Sequence, residues 1–366
     1  MTKPSSNSLN IALFHVSASF TSRGSENYCW ELSRYLHAQG HQVRLLAGKL
    51  PTPIVRYPEI PLHTFPFRPR ERFPDFGSRF RRLGERLSFG LNSRAYLLAH
   101  PPQILNIHKP YDLPFALWLR HRTGCKVVLR FHGKDFFPGV ETLLRRADAI
   151  YCVSRRAQRM LEEIRSVPSQ VIHTGVDTTR FQTQTPANPG HILYFGSLEG
   201  WKGVDTLIRA LTHIRDQDWQ ARIVGDGPTK AELQRMIETS GLSGRIRLEA
   251  TINSRAGIKE LLDWAGVCVF PSRDNETFSN AVLEAMSMNR AVVASNAGGF
   301  PEAIDHGEDG LLFPSGDAQA LANHLQTLIQ SPDTTRRLAA KARIKTQTQF
   351  DTKTSFAQVV RLFRSC

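Results

Sequence analysis

At 366 residues the chain is too long for one typical domain and suits two of moderate size. Lys and Arg total 47 against 33 Asp and Glu, and the formal net charge of +14 calls for an anionic partner: nucleic acid, an acidic membrane or a charged substrate. No run of eighteen apolar residues exists and residues 1–10 are polar, which excludes a spanning helix and argues against a signal peptide, while Cys29, Cys125, Cys152, Cys268 and Cys366 lack any zinc spacing and read as reduced residues of a cytosolic protein.

In chain order, Ile11–Val16 reads as a short apolar strand, followed by a loop at Ser17–Ser25. A helix then runs from Glu26 to Gln39, closed by Gly40, and His41–Ala47 is the second strand. The stretch Leu50–Arg94 breaks this alternation. Prolines recur in it to Pro74, and eight arginines between Arg68 and Arg94 meet only Glu71, Asp75 and Glu85. Phe76, Phe80, Leu83, Leu87 and Leu91 share one helical face there, with Arg79, Arg82 and Arg86 beside them. Such a stripe can lie in a headgroup plane with Arg79, Arg81, Arg82 and Arg86 on anionic lipids. The plain alternatives are a surface helix with solvated arginines or a mobile loop; Gly84 and Gly90 weaken the helix and favour a segment that orders on contact. Strands return at Ile104–His108, Lys126–Phe131, Ala149–Ser154 and Val171–Gly175, with a helix at Pro114–His121. His132 follows the second of these strands, where a histidine is usually a hydrogen-bonded structural residue.

Gln182–Gly190 is a polar, Pro-bearing linker, after which a second alternating set begins. Its strands are His191–Phe195, Ala221–Val224, Arg245–Ala250, Val267–Phe270 and Ala291–Ser295. Helices fall at Val204–Ile214, Ala318–Gln330, Thr334 onward and Phe356–Phe363. Lys202, in the loop Gly196–Gly203, is placed to meet a diphosphate. Asp216-Gln-Asp218 lies in a helix-to-strand connection and reads as a surface turn, so no metal motif sits on a strand end.

The most informative stretch is Phe270-Pro-Ser-Arg-Asp-Asn-Glu-Thr-Phe-Ser-Asn-Ala-Val-Leu-Glu-Ala-Met286. A strand ends at Phe270 and a helix starts at Asn280, with Ser279 as its N-cap; ligands bind at such places in α/β proteins. The N–H groups of Phe278, Ser279 and Asn280, backed by the helix dipole, suit a phosphate. Glu284 lies one turn into the helix and points back toward the loop, where its carboxylate can accept two hydroxyls, as a ribose diol offers. Glu276, in the loop, can grip a second polyol. A diphosphate between two sugars fits this arrangement.

The frame Pro-Ser-x-x-x-Glu-x-Phe-x-x-x-x-x-Glu-Ala-Met resembles the Glu-x7-Glu signature of the retaining glycosyltransferases of family 4. The resemblance implies the GT-B fold: two Rossmann-like doubly wound α/β domains facing an interdomain cleft. The expected boundaries are an acceptor-binding domain at 1–183, a nucleotide-sugar domain at 184–345, and a C-terminal helix within 346–366 packing back on the first domain. Gly24 is similar to the first glycine of the family's Gly-Gly turn, with Ser25 in place of the second. His132-Gly-x-Asp135 and the strand before Ser154 resemble other landmarks, and His132 is expected to face the cleft and touch donor sugar or acceptor. The family's arginine after the first glycine of the Gly196 loop is Ser197 here, so either Arg273 compensates or the donor binds more weakly.

The implied activity is hexosyl transfer from a nucleoside-diphosphate sugar to a hydroxyl of a glycan or lipid-linked acceptor, in cell-envelope polysaccharide or lipopolysaccharide synthesis. His132, Lys202 and Glu276 would act in catalysis; Gly24, Ser197, Lys202, Arg273, Glu276, Phe278, Ser279, Asn280 and Glu284 would bind the donor. Glu284 would hold the ribose, Glu276 the sugar hydroxyls, and Lys202 with the loop amides the departing diphosphate. No cofactor or metal is expected, and the family implies front-face substitution in which the leaving phosphate takes the acceptor's proton. Uridine donors come first and guanosine second. The place expected is the cytoplasm, peripherally on the inner face of the plasma membrane. Two alternatives stand: a sugar-nucleotide epimerase or phosphorylase on the same fold, or a basic nucleic-acid-binding protein. The second lacks any nucleic-acid motif.

Overall fold

The computed structural model describes residues 8–21, 24–133, 136–252, 254–274 and 276–366. Asp135 of the His132 motif and Asn275 of the Glu-x7-Glu stretch lie outside them. The described residues divide into two units. The first comprises 1–173 together with Ser355–Cys366, and the second Thr174–Thr354.

In the first unit the short apolar runs become strands β1 (Asn10–Phe14), β2 (Gln42–Gly48), β3 (Leu62–Phe65), β4 (Ile104–Ile107), β5 (Lys126–Phe131), β6 (Ala149–Cys152) and β7 (Gln170–Val171). They form one parallel sheet in the order β3-β2-β1-β4-β5-β6-β7. Parallel strands need a crossover each, so helices cover both faces and the central strands are apolar on both sides. Ile11 through Phe14 are fully buried accordingly. One face packs against the helix Gly24–Ala38 through Trp30, Leu32 and Leu36, joined by Phe356, Val359 and Phe363 of the C-terminal helix Thr352–Ser365. On the other face Phe14 meets Phe89 and Phe115, with ring centres 4.5 and 5.6 Å apart.

Leu50–Arg94 contains more order than its prolines advertise. It supplies edge strand β3 and most of the helix Ser78–Ala99, whose inward face carries Arg86, Phe89, Gly90, Ser93 and Leu97. Gly90, read from the sequence as a weak point, is a packing device. A Cβ there would stand 2.4 Å from the Phe115 ring, so glycine alone lets this helix lie close to the helix Leu113–Thr123.

The second unit repeats the plan with β8 (His191–Phe195), β9 (Gln220–Val224), β10 (Ile246–Glu249), β11 (Val267–Phe270), β12 (Ala291–Ser295) and β13 (Leu311–Phe313). The order is β10-β9-β8-β11-β12-β13, again parallel. The first unit ends at His173 rather than 183, because the next residues are tied into the second. Val176 bridges Asp351, Thr178 donates to Asp351 at 2.6 Å, and Ser287 donates to the Phe181 carbonyl at 2.7 Å. The chain rejoins the first unit at Ser355, whose hydroxyl donates to the His173 carbonyl at 2.6 Å.

Candidate active site

In the second sheet the strand order reverses between β8 and β11, and a crevice opens beyond their carboxyl ends at such a point. Two loops meet there, 196–203 after β8 and 271–279 after β11. Gly203, at φ +67°, makes the meeting possible: a Cβ would lie 2.1 Å from the Pro271 carbonyl oxygen. Arg273 fastens the two loops. Its amide donates to the Trp201 carbonyl at 2.7 Å, while its guanidinium donates to the Gly200 carbonyl at 2.9 Å and to Asp205 at 2.6 Å. The side chain is therefore engaged in bracing the loops. Ser197 itself is exposed, and its carbonyl accepts the Tyr194 hydroxyl at 2.7 Å.

Bracing the loops brings Lys202 to Glu276, and the ammonium donates directly to the Glu276 carboxylate. Both side chains are mostly buried, and Lys202 also lies 4.3 Å from the centre of the Trp201 ring. The Gly299 amide donates to the Glu276 carbonyl at 2.9 Å and fixes the loop from the far side. The pair borders Tyr194, whose phenol is pushed up by burial first and by the Glu276 charge second.

The helix Asn280–Ser287 begins just beyond. Ser279 takes the N-cap position as the sequence indicated, but its hydroxyl makes no capping bond, which leaves the first-turn amides uncapped by it. Phe278 contributes an anchor through its side chain: it is buried, with its ring 5.8 Å from that of Phe350. Val282, Leu283, Ala285 and Met286 are buried in the unit, while Glu284 is only half-buried. Burial pushes its carboxyl up to about 7, and Arg255 pulls it the other way. Lys202, Glu276, the Asn280 helix terminus and Glu284 thus sit on loops and a helix start at one switch point.

The first unit has a corresponding crevice where its order reverses between β1 and β4. A cavity of about 600 Å³ lies there, lined among others by His15, Ser17, Glu26, Arg82, Arg86 and Lys109. The sequence reading passed over most of these residues. A signal was present: β1, β4 and β5 are each followed directly by a histidine, His15, His108 and His132. His15 and His108 are buried and His132 is half-buried. All three imidazoles are held well below their ordinary values, by burial foremost and by surrounding cations, Arg130 among them in each case. Arg130 Nη1 lies 3.0 Å from His132 Nε2 and 3.3 Å from its Nδ1, so the guanidinium donates to the imidazole edge. His15, Cys29 and His108 bring ligand-type atoms within 4.8 Å of one another. Burial raises the Cys29 thiol, however, and the arginines beside the cluster oppose a further cation.

Gly24 opens the helix Gly24–Ala38 of the first unit. The four arginines assigned to lipid separate. Arg79 is exposed, and Arg81 pairs with Asp75 at 3.1 Å. Arg82 lines the cavity. Arg86 is buried and pairs with the buried Asp112 at 3.4 Å, so it cannot reach a membrane. Of the apolar stripe, Phe76, Phe80 and Leu91 are exposed, whereas Leu83 and Leu87 are half-buried. Among the described residues no helix is long and apolar enough to cross a membrane.

Comparison with known proteins bears on the family and the fold. The description "Glycosyltransferase Family 4" matches residues 22–180, and "Glycosyl transferases group 1" matches residues 189–331. A putative colanic acid biosynthesis glycosyltransferase, WcaL of Salmonella typhimurium, is 29% identical over 262 residues, 66% of this chain and 64% of its own length. The chain thus spans a little under two thirds of that relative. Solved structures align over nearly the whole chain. Sucrose-phosphate synthase from Thermosynechococcus elongatus has a TM-score of 0.84 at 22% identity, covering 97% of this chain and 98% of that one. Anabaena HepE in complex with UDP and glucose has a TM-score of 0.79 at 21% identity, covering 98% and 100%.

Proposed function

Because the chain belongs to glycosyltransferase family 4 and has the GT-B fold, we propose that it moves a hexose, with retention, from a nucleoside-diphosphate sugar to a hydroxyl of a glycan or lipid-linked acceptor. The observation that carries the proposal is the Lys202–Glu276 pair beside the uncapped start of the Asn280–Ser287 helix. Without ligand, the ammonium is neutralised by the carboxylate. An arriving diphosphate replaces Glu276 as the counter-charge of Lys202 and takes the helix amides as donors. Glu276, released, accepts hydroxyls of the donor sugar, and Glu284 accepts the ribose diol. Charge that develops on the leaving diphosphate then meets donors already in place. No carboxylate is positioned as a nucleophile in this scheme, so the leaving phosphate itself takes the acceptor's proton. His132, neutral, offers a ring nitrogen to a sugar hydroxyl.

Lys202 and the helix terminus carry the diphosphate charge in this scheme, so turnover needs no metal. Uridine is the preferred base, consistent with the UDP held by HepE, and a cell-envelope polysaccharide the preferred product, consistent with the colanic acid relative. The first unit takes the acceptor. Arg79 and Arg81, with exposed Phe76 and Phe80, hold the enzyme at an anionic leaflet. The test is a panel of sugar nucleotides scored by thermal stabilisation and slow hydrolysis, with the anomeric configuration of the released sugar read by NMR. Stabilisation and hydrolysis by a uridine sugar, unaffected by EDTA and with the configuration kept, support the proposal. Inversion, or turnover abolished by EDTA and restored by magnesium or manganese, contradicts it.

A further inference from the structure

We propose that Arg130 is a positioning residue for the transfer reaction: its guanidinium occupies one ring nitrogen of His132, which commits the imidazole to donating a hydrogen bond and bars it from taking a proton. The inference rests on the reaction proposed above, in which His132 meets a sugar hydroxyl, and fixes the direction of that contact.

Packing holds the guanidinium in place. Arg130 belongs to β5 and His132 follows its end, two residues on and therefore on the same side of the extended chain. Arg130 is buried, and its Cζ lies 3.4 Å from the centre of the Tyr28 ring. That ring is itself fixed within the helix Gly24–Ala38. It stands edge-on to Phe356 at 5.3 Å, and its hydroxyl is 3.4 Å from that of the buried Tyr151. A planar guanidinium laid on a fixed ring keeps little freedom, so Nη1 stays where it meets the imidazole, 3.0 Å from Nε2 and 3.3 Å from Nδ1.

The donor inventory then decides the state of the imidazole. A guanidinium carries only donors and does not give up its proton in a protein. Whichever ring nitrogen takes its bond presents a lone pair, so the one proton of the neutral ring sits on the other nitrogen. A second proton would have to enter between Arg130 and the ring. It would also meet Lys109, beyond β4, and the imidazoles of His108 and His15; His108 is centred 6.0 Å from His132 and 5.3 Å from His15. Burial first, and Arg130 with these groups after it, hold His132 well below its ordinary value. An unconstrained histidine can donate to a substrate oxygen or accept the proton of an attacking hydroxyl. With one nitrogen occupied and the other protonated, only donation is left. The acceptor's proton then leaves by another route, which is what transfer to the departing phosphate supplies.

The first test uses the whole wild-type chain: proton–nitrogen correlation NMR of histidine-labelled protein, with the His132 signal identified by its loss in His132→Ala. One protonated and one bare ring nitrogen are expected, unchanged from about pH 8 down to about pH 5.5. A His132 that takes up a proton within that range overturns the proposal. The second test is kinetic, at saturating donor. Arg130→Met should lower kcat about tenfold, the worth of one hydrogen bond, and Arg130→Lys, which keeps a cationic donor, should recover most of it. In a His132→Ala background Arg130→Met should cost nothing more, since Arg130 acts through the imidazole. The ratio of Arg130→Met to wild-type kcat should rise toward acid pH, because an imidazolium donates from both nitrogens. Losses that add in the double variant, or a ratio that falls toward acid as for a base, overturn the proposal. Should Arg130→Met not fold, the wild-type NMR measurement decides alone. Donor hydrolysis by the wild type separates the two readings: its absence with every sugar nucleotide overturns the transferase reading, while the ring-nitrogen measurement still decides the Arg130–His132 contact.

Discussion

Both units place a crevice where their strand order reverses, yet the two are built differently. In the second, nearly everything comes from one segment, 271–284, with Lys202 brought in where the loop after β8 meets it at Gly203 and Arg273. In the first, His15, Glu26, Arg86 and Lys109 come from a strand end, a helix start, the middle of a long helix and another strand end. The contiguous crevice holds charges that are already paired and wait for a ligand to exchange them. The dispersed one holds two buried acceptors, His15 Nε2 and Glu26 Oε2, with no hydrogen-bond partner. On the function proposed above, the second would take the phosphate-bearing donor and the first the hydroxyl-bearing acceptor.

Breaking the second crevice should have the largest effect. Lys202→Ala removes the cation prearranged for the leaving diphosphate and should lower kcat by roughly 10²–10³, measured as transfer or as donor hydrolysis. The first crevice is sensitive in another way, through stability. Arg86→Met leaves Asp112 buried without its cation and should destabilise the unit by about 3 kcal/mol in urea melts. Burial already raises the Asp112 carboxyl to about 6. The folded state therefore holds that proton more tightly than the unfolded chain, and stability falls as pH rises through roughly 4 to 6. Losing Arg86 raises the carboxyl further, so the variant's deficit should be larger at pH 8 than at pH 5.

Glu284→Gln should weaken sugar-nucleotide binding by about 1.5–3 kcal/mol and leave the melting temperature unchanged. Since burial puts this carboxyl at about 7 and the ribose prefers the charged form, wild-type affinity should rise from pH 6 to pH 8. Glu284→Gln should show no such rise. The smallest effect lies outside both crevices. Arg79→Ser and Arg81→Ser should each cost about 1 kcal/mol of binding to anionic vesicles, read by co-sedimentation, and binding should fall with salt. Equal binding to neutral vesicles would remove the membrane surface from the account.

The sequence disclosed the contiguous crevice because its chemistry is local. Strand break, loop glutamate and helix start follow one another, and the periodicities that define β11 and the Asn280 helix are the ones that aim Glu276 and Glu284. The bracing role of Arg273 was not legible for the opposite reason. Its partners, Gly200 and Asp205, lie about seventy residues away, and only the folded loops bring them together. The same holds for the amphipathic stripe in the helix Ser78–Ala99. Helical spacing identified a face, but which face meets the protein is set by Phe115 against Gly90 and Asp112 against Arg86. Strand β3 escaped notice because it is a four-residue edge strand with Pro61 before it and Pro66 after it.

The central claim is that Glu276 neutralises Lys202 until a diphosphate replaces it and then grips the donor sugar. Calorimetric titration of Glu276→Gln with UDP and with UDP-glucose tests it most directly. The account predicts that UDP binds at least as tightly as to wild type, since Lys202 no longer has a competing partner, while any advantage of UDP-glucose over UDP is lost. A parallel fall in affinity for both ligands, or an undiminished preference for the sugar nucleotide, would contradict it.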